Sequence, residues 1–425
     1  MHLPALNDSS RFRYFTFFYL YIMQGIPSGF ALTAVANYLL GRNVETQHIG
    51  TFIAIVGLPW TIQFFWGPFI DRFQYSLIGH RKHWVVLSQL VAVFASAGLT
   101  IVKDPVQQLS LLSLLFFCHS IFASIQDASV DAMAISIVPA EQRGRLNGFM
   151  RGGFLIGVAF GSAGLSYVLH EYGFRSAAVL QTTILLCFTV LFFITRLHKS
   201  DPLIAFSNYA NTRQLAKAYQ PNFTLLFKKI YSGITNQKSL KYFGVVAGVY
   251  FCSSVFIRSY TYYLIHILKW DDKALSILQG SWGSVITFVA IILGGVASDK
   301  IGAKVVQVRV MWGVAIFLLV LNSSFYFWHY DFYSGAGLVL WNLADPLLSV
   351  AVFPILMGLC ADKVEGSQFT AYMAMINLCD VAGSYLTGWS LKTVSAPLLG
   401  FCCGFFILIM ILMLKRNNNY SVIPG

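Results

Sequence analysis

The stretch GVASDKIGAK at residues 295–304 follows a long apolar run and leads into a charged loop. It has the form Gly-x-x-x-Asp-basic-x-Gly-x-basic. The same form occurs 228 positions earlier, where GPFIDR at residues 67–72 is followed by GHR at residues 79–81. The earlier copy differs by an insertion between Arg72 and Gly79. Two copies at corresponding places indicate that the chain consists of two related halves.

The sequence around these loops is that of a membrane protein. Of its 425 residues, 57% are hydrophobic and only 11% are charged, whereas about a quarter of the residues in a soluble domain are charged. Runs of about 20 apolar residues, the length that crosses a bilayer, recur along the chain. Because lipid offers no hydrogen-bond partners, each crossing must satisfy its backbone within a helix. We therefore predict an all-α membrane protein.

Hydropathy predicts twelve transmembrane helices in two pseudo-symmetric halves of six. The first half covers residues 1–195, a polar central loop covers 196–241, and the second half covers 242–425. The first apolar run is longer than the core of a signal peptide, so we expect it to be retained as a helix. The predicted helices lie at 14–40, 49–70, 84–102, 108–138, 147–169, 176–195, 242–268, 275–298, 306–328, 334–360, 367–390 and 396–414.

The distribution of Lys and Arg predicts the orientation. If the N-terminus lies inside, the inner segments hold 22 of these residues and the outer loops hold 6, with Arg258 left inside a membrane segment. Such an excess marks the cytoplasmic side. We predict a protein of the bacterial inner membrane with both termini and the central loop in the cytoplasm. The net charge of +12 then reflects topology, and no nucleic-acid partner is expected.

The two charged loops resemble the signature motif of the major facilitator superfamily. A narrower resemblance covers about residues 20–165, where WGPFIDR (66–72), GHRKHW (79–84), SIQDASVDA (124–132) and VPAEQRG (138–144) are similar to AmpG-type muropeptide permeases. Relatives of that family that carry siderophores, the RhtX/FptX type, or acetyl-CoA share these features. The resemblance implies a carrier that works by rocker-switch alternating access. It leaves the substrate open within this group of carriers.

Both copies of the loop motif are predicted to act as gating latches. A glycine near the helix end allows close helix approach, and the following Asp can accept backbone N–H groups or pair with the basic residues. The alternative is that these charges only mark the cytoplasmic face. The predicted latch residues are Gly67, Asp71, Arg72 and Arg81 in the first copy, and Gly295, Asp299, Lys300 and Gly302 in the second.

Two carboxylates in the fourth predicted helix are candidates for proton coupling. Asp127 and Asp131 are four residues apart and therefore lie on one helix face. Two like charges this close are costly to ionise together, so one of them is expected to hold a proton. The alternative is a structural pair bound to Arg151 or to the basic loop residues. Gln126, beside them, is a candidate contact for the solute.

The second half contains a different set of candidate solute contacts. Arg258 in helix 7 presents five donors, which suit a carboxylate, phosphate or metal-chelate anion. An internal ion pair with Asp345 or Asp380 is the alternative, and both of these carboxylates are themselves candidates for a cavity position. Tyr262 follows Arg258 by one helical turn. It completes the five candidate solute contacts, with Gln126, Arg258, Asp345 and Asp380.

Other functional classes lack their sequence motifs. The chain has no ATP-binding motif of the form G-x-x-x-x-G-K-[ST], no serine nucleophile elbow and no His cluster with metal spacing. We expect a monomeric secondary carrier that is not an enzyme and needs no cofactor or metal. The predicted function is proton-coupled import of a small polar or anionic solute.

Three interpretations of that function are open. The chain is shorter than the longest muropeptide permeases, which favours a siderophore as the solute. A muropeptide permease is the alternative. A non-transporting membrane sensor with a carrier fold is the third, although two retained latch motifs argue against it.

Overall fold

The computed structural model describes residues 5–42, 44, 46–76, 78–198, 201, 223–270, 278 and 282–416. Every regular element among these residues is helical. Most of the predicted central loop, and the start of the predicted helix at 275–298, lie outside the described residues. The prediction of an all-α chain is confirmed.

The first six predicted helices correspond to nine α-helices, because short π and 3₁₀ segments interrupt three of the six. The interruptions at Phe30–Val35, Gln63–Phe65 and Phe160–Gly164 continue the helix on either side of them. The helices are α1 (Ser10–Gly29), α2 (Ala36–Gly41), α3 (Thr46–Thr61), α4 (Trp66–Arg72), α5 (Lys82–Gly98), α6 (Leu109–Ile137), α7 (Arg143–Ala159), α8 (Leu165–Tyr172) and α9 (Phe174–Ile194).

The remainder of the described chain forms eight helices. They are α10 (Phe223–Thr235), α11 (Gln237–Tyr262), α12 (Trp282–Ile301), α13 (Ala303–Ser323), α14 (Asp331–Trp341), α15 (Ala344–Leu359), α16 (Glu365–Ser390) and α17 (Ala396–Arg416). Helix α10 lies in the predicted central loop. Helices α14 and α15 together form the tenth predicted membrane helix, which is broken at residues 342–343.

The helix boundaries deviate from hydropathy where polar residues join a helix. Helix α1 begins at Ser10 rather than at residue 14, with the Ser9 hydroxyl accepting the Phe12 N–H at 3.3 Å. Arg13 is buried there because its guanidinium donates to the carbonyls of Leu6 and Asn7, each at 3.2 Å. Among the described residues, ten helical segments are long and apolar enough to cross a membrane. Helices α12 and α16 occupy the positions of the other two predicted crossings.

The contacts between residues divide the chain into two compact units. The first unit contains Met1–Pro139, Phe149–Ser232 and Cys360–Ala374, and the second contains Ala140–Gly148, Gly233–Leu359 and Met375–Gly425. The units follow the predicted halves except that the beginnings of α7 and α16 are exchanged between them. The predicted domain limits at residues 195 and 242 stay a prediction.

Backbone-to-backbone packing of α1 and α7 organises the first unit. A Cβ atom on Gly25 would overlap the carbonyl oxygen of Phe154, and one on Gly157 would overlap that of Ile22. Small residues at a spacing of four permit such close approach between membrane helices, where there is little hydrophobic drive for association. The aromatic rings of Phe30 and Phe116, both fully buried, fill the core beside this contact.

The core of the second unit is aromatic. Trp328 and Tyr260 are buried with their ring centroids 4.7 Å apart in an edge-to-face arrangement. Their polar atoms are satisfied, since Tyr260 donates to the Ser334 carbonyl at 2.8 Å and Trp328 donates to the Leu321 carbonyl at 2.9 Å. Burying these two rings therefore leaves neither the Tyr260 hydroxyl nor the Trp328 indole N–H unpaired.

The α1–α7 contact should be intolerant of a single methyl group. We expect Gly157→Ala to lower the free energy of unfolding by about 1–3 kcal/mol, because the added carbon overpacks against the Ile22 carbonyl. Gly244→Ala is the matched control, since a Cβ there meets no atom within 4 Å. Thermal unfolding of both variants in detergent measures the difference, and equal midpoints would contradict the packing argument.

Candidate functional site

The first unit holds Asp127 and Asp131 in a polar cluster between α6, α1 and the break before α4. The Tyr21 hydroxyl donates to Asp131 Oδ1 at 2.5 Å. The Gln63 amide donates to Asp127 Oδ2 at 2.8 Å. The four-residue spacing on α6 therefore brings both carboxylates to one face, as predicted, and each has a neutral hydrogen-bond donor.

Local structure positions the two donors. Gln63 begins the 3₁₀ segment that separates α3 from α4, and it is 3% exposed. Tyr21 lies on α1, with a buried side chain. Neither residue was predicted from the sequence. The available signal was the presence of polar side chains inside long apolar runs, which is costly in a membrane helix unless the group has a partner.

The charges of this cluster do not balance when both carboxylates are ionised. Arg151 on α7 acts electrostatically on Asp127 and on Asp131. Among the described residues, one guanidinium thus acts on two carboxylates. Because an uncompensated charge in a membrane interior is costly, a single proton shared by the pair is the arrangement that balances the cluster. This is the chemistry that a proton carrier requires.

One buried amide borders the cluster with an unused donor. Gln126 is 2% exposed, and its side-chain nitrogen has no acceptor among the described residues. A buried donor without a partner costs about 1–3 kcal/mol. Gln24, which was not predicted as a contact, acts on Asp127 as a hydrogen-bond partner. Gln126, predicted as a solute contact, therefore presents the N–H group suited to a carbonyl oxygen that enters from outside the protein.

The second unit pairs Arg258 on α11 with Asp380 on α16. The guanidinium donates to Asp380 Oδ1 at 3.1 Å and to Oδ2 at 2.9 Å, a two-pronged contact. Ser254 joins the pair, since it accepts from Arg258 at 3.0 Å and donates to the Asp380 carbonyl at 2.8 Å. Of the two alternatives left open by the sequence, Asp380 is the ion-pair partner and Asp345 is not.

This ion pair remains accessible at the surface of the second unit. The Arg258 and Asp380 side chains are 38% and 58% exposed. Tyr262 lies one turn beyond Arg258 and is 42% exposed, with its ring 4.6 Å from that of His266. Charged groups at this depth are stable facing a polar cavity rather than lipid. An anionic group of a solute can replace Asp380 as the partner of Arg258.

Asp345 occupies a different environment from the Arg258 pair. It is exposed and lies in the first turn of α15, where a carboxylate stabilises the helix N-terminus. Pro346 follows it and has no N–H to continue the helix. The Asn342 carbonyl instead accepts the Thr287 hydroxyl at 3.2 Å. The structure does not bring Asp345 together with the other predicted solute contacts.

The first copy of the loop motif forms a buried charge network. Asp71 accepts the backbone N–H groups of Gly366 and Ser367 at 3.1 and 2.7 Å and thus caps the N-terminus of α16. The guanidinium of Arg81 donates to Asp71 at 3.0 Å and to Glu365 at 2.6 Å. Gly67 allows this approach, because a Cβ there would lie 2.5 Å from the Cα of Ser367.

The loop that carries Arg81 contains two residues with positive φ angles. Gly79 has φ +126° and Arg81 has φ +58°, so the chain turns sharply enough to bury the guanidinium. Burial lowers the pKa of His80 to about 3, and the adjacent Arg81 charge adds to the shift. His80 is therefore neutral at physiological pH, and we expect no pH dependence of the latch near neutrality from this residue.

The second copy of the motif repeats the capping contact in the second unit. Asp299 accepts the backbone N–H of Arg145 at 3.0 Å near the start of α7, and the Arg145 side chain lies 3.3 Å from the same carboxylate. A Cβ on Gly295 would lie 2.9 Å from the carbonyl of Gly144. Each motif thus places a glycine at a close helix contact and an aspartate at a helix N-terminus.

Three predicted latch residues are not part of these contacts. The Arg72 guanidinium lies 4.2 Å from the ring centroid of Phe223 on α10. Lys300 is exposed at the end of α12. Gly302 has φ +88° and starts the turn into α13, which is a conformational role. The gating role of all eight motif residues stays a prediction.

These features define a polytopic membrane protein with ionisable groups inside its helices and a repeated loop motif, which is the architecture of a secondary transporter. Comparison with known proteins agrees. The chain matches the family described as Major Facilitator Superfamily over residues 14–388. Because this match covers most of the chain, the protein belongs to the major facilitator superfamily of transporters.

The curated relatives are AmpG-type proteins. The chain is 22% identical to the anhydromuropeptide permease of Escherichia coli (strain K12), over 94% of this chain and 79% of the relative. It is 21% identical to putative transporter AmpG 1 of Rickettsia prowazekii, over 85% of this chain and 88% of the relative. The resemblance stated from the sequence motifs is confirmed, and it extends beyond residues 20–165 to most of the chain.

Solved structures show the same fold. The proton:xylose symporter XylE is similar with a TM-score of 0.64 and 13% identity, over 96% of both chains. FucP in its outward conformation is similar with a TM-score of 0.63 and 10% identity, over 95% of this chain and 98% of that one. Identities this low bear on the fold alone. The predicted twelve-helix major facilitator fold is confirmed.

Arg81 should be a structural requirement of the first latch. We expect Arg81→Met to lower the free energy of unfolding by about 3–5 kcal/mol, because it leaves Asp71 and Glu365 without their buried partner. Arg72→Met should cost about 1 kcal/mol or less, since Arg72 contributes a cation–π contact at the surface. Thermal unfolding of both variants measures this, and a smaller loss for Arg81→Met than for Arg72→Met would refute the assignment.

Proposed function

We propose that this transporter imports an anhydromuropeptide-type solute together with protons. The observation that supports the substrate class is the similarity to the Escherichia coli anhydromuropeptide permease over 94% of the chain. The observation that supports proton coupling is the pair Asp127 and Asp131, which faces a single guanidinium. The protein acts in the inner membrane as a monomer, with both termini in the cytoplasm, and performs no catalysis.

The candidate contacts suit the chemistry of a peptidoglycan fragment, which carries amide carbonyls, sugar hydroxyls and carboxylates. In the first unit, the unused N–H group of Gln126 is a donor for an amide carbonyl. In the second unit, the Arg258 fork binds carboxylates, in competition with Asp380. The exposed Tyr262 ring offers a face for a sugar. The amide donor belongs to the first unit, and the Arg258 and Tyr262 contacts belong to the second.

Proton uptake follows from the charge imbalance of the acidic pair. When one carboxylate holds a proton, Arg151 balances the other, and the cluster is neutral. When the proton leaves, the cluster gains a net negative charge that the surroundings must stabilise. A conformational cycle that exposes the pair alternately to the two sides of the membrane would therefore carry one proton inward for each turn. The capping contacts of Asp71 and Asp299 would form in one state and break in the other.

The siderophore interpretation stays a prediction. The relatives reported above are muropeptide permeases and putative AmpG transporters, and nothing in the described residues favours an iron chelate over a sugar peptide. The sensor interpretation differs from the muropeptide and siderophore interpretations because a sensor moves no solute across the membrane. One uptake experiment therefore compares all three interpretations.

Cells that express this protein should accumulate a labelled anhydromuropeptide above the level of cells that lack it. A labelled ferric siderophore, measured in parallel, should not accumulate above background. Uptake of the siderophore alone would overturn the proposed substrate class and restore the first interpretation. If neither solute accumulates and the protein is present in the membrane, the sensor interpretation is favoured.

Neutralising the acidic pair should separate proton coupling from solute exchange. In proteoliposomes, we expect Asp131→Asn and Asp127→Asn to abolish accumulation driven by an imposed proton gradient, because neither variant can cycle a proton through the pair. Exchange of labelled for unlabelled solute without a gradient should persist. Glu171→Gln is the control, since Glu171 is exposed at the end of α8. Gradient-driven accumulation that survives in both Asp variants would exclude the pair as the proton carrier.

A further inference from the structure

The second unit has a groove that the transport cycle proposed above does not use. It has a volume of about 400 Å³ and runs along α13 beside the break between α14 and α15. Its walls are apolar apart from Arg309 and are formed mainly by Gly313, Phe317, Leu340, Trp341 and Leu347. It is open on one side rather than enclosed by protein.

Two features of the helices leave space for the groove: a residue without a side chain and a helix break. Gly313 has no side chain, and a Cβ there would meet no atom within 4 Å. On the other wall, Pro346 cannot continue the helical hydrogen bonding, so α14 ends at Trp341 and α15 begins at Ala344. The Asn342 carbonyl freed by this break accepts the Thr287 hydroxyl at 3.2 Å.

Arg309 marks one end of the groove. Helix α13 packs along α15, and the rings of Phe317 and Trp341 stack with their centroids 6.0 Å apart. Because the chain returns through α14 and α15 after the short segment 324–330, it runs antiparallel to α13, and Arg309 lies at the same end of the groove as Leu347. From Arg309 to Phe317 the groove follows eight residues of α13, or about 12 Å at 1.5 Å per residue. A cation at one end of an apolar slot of this length matches an amphiphile with an anionic head and an extended chain.

The environment of Arg309 requires a counter-charge. Its side chain is exposed, and among the described residues no carboxylate forms an ion pair with it. It lies two turns inside Ala303–Ser323, a segment long and apolar enough to span the membrane. An arginine at that depth extends toward the interface, where a lipid phosphate can satisfy it. Basic pockets between transmembrane helices bind anionic headgroups for this reason.

We propose that this groove is a binding site for an anionic phospholipid. Its phosphate contacts Arg309, and one acyl chain lies along Gly313 and Phe317 against Leu340 and Trp341. In this proposal the open side of the groove, bordered by the exposed Leu340 side chain, faces the bilayer, and the occupant enters from there. Anionic lipids are selected over zwitterionic ones because Arg309 is the charged residue of the groove. The site is separate from the acidic pair and from the Arg258–Asp380 ion pair.

Lipid titration of the purified full-length protein in neutral detergent tests this proposal. Phosphatidylglycerol and phosphatidylcholine with the same acyl chains are added, and bound lipid is counted by native mass spectrometry. We expect Arg309→Gln to weaken phosphatidylglycerol binding about fivefold, the size expected when one basic contact to an anionic headgroup is lost, and to leave phosphatidylcholine unchanged. Gly313→Leu, which fills the groove, should weaken both.

Lys241→Gln is the matched control, because Lys241 is an exposed cation of the same unit that does not line the groove. It should leave phosphatidylglycerol binding unchanged. A loss equal to that of Arg309→Gln would show attraction by general positive charge and overturn the proposal. Equal binding of the two lipids to the unmodified protein would also overturn it.

A measurement on the unmodified protein avoids dependence on how well the variants fold. Phosphatidylglycerol with a photoreactive acyl chain should label peptides that contain residues 310–317 or 340–347 in preference to other membrane segments. Excess unlabelled phosphatidylglycerol should suppress this labelling more than phosphatidylcholine does. Labelling spread evenly over the membrane segments would contradict a specific lipid-binding site in the groove.

Discussion

Every charge that this chain carries into a membrane helix must be compensated within the protein or by a lipid headgroup, because hydrocarbon supplies neither water nor counter-ions. This constraint accounts for the most ordered polar contacts. Asp71 is held by backbone N–H groups and Arg81, and Asp299 is held by the start of α7. Arg258 and Asp380 compensate each other through a two-pronged contact. In each case an opposite charge lies within 3.3 Å of the carboxylate.

The acidic pair on α6 departs from this pattern in one respect. Its hydrogen bonds are satisfied by Tyr21 and Gln63, but two carboxylates share one guanidinium. A structural ion pair gains nothing from such an imbalance. The proton coupling proposed above depends on this imbalance, because the proton supplies the missing charge. The same reasoning applies to Arg309, which among the described residues has a groove beside it instead of a carboxylate, and whose counter-charge we assign to a lipid.

Much of the fold could be predicted from the sequence. The helix interruptions and the polar start of the first helix could not. Hydropathy located the membrane helices, although it missed the polar first turn of α1 and the interruptions at Gln63–Phe65 and residues 342–343. Those interruptions matter, since the first places Gln63 against Asp127 and the second borders the lipid groove. The repeated loop motif identified the superfamily, and the comparisons agree with it.

The class of protein follows from the sequence alone, because the length and hydropathy of a membrane segment are local properties of about 20 residues. The spacing of Asp127 and Asp131 likewise determined that they share a face. Which side chains pair with each other is seen only in the folded chain. Arg81 rather than Arg72 binds Asp71, and Asp380 rather than Asp345 binds Arg258. These pairings depend on the rotation and depth of helices that are distant in the chain, which are set by packing such as the glycine contact of α1 with α7.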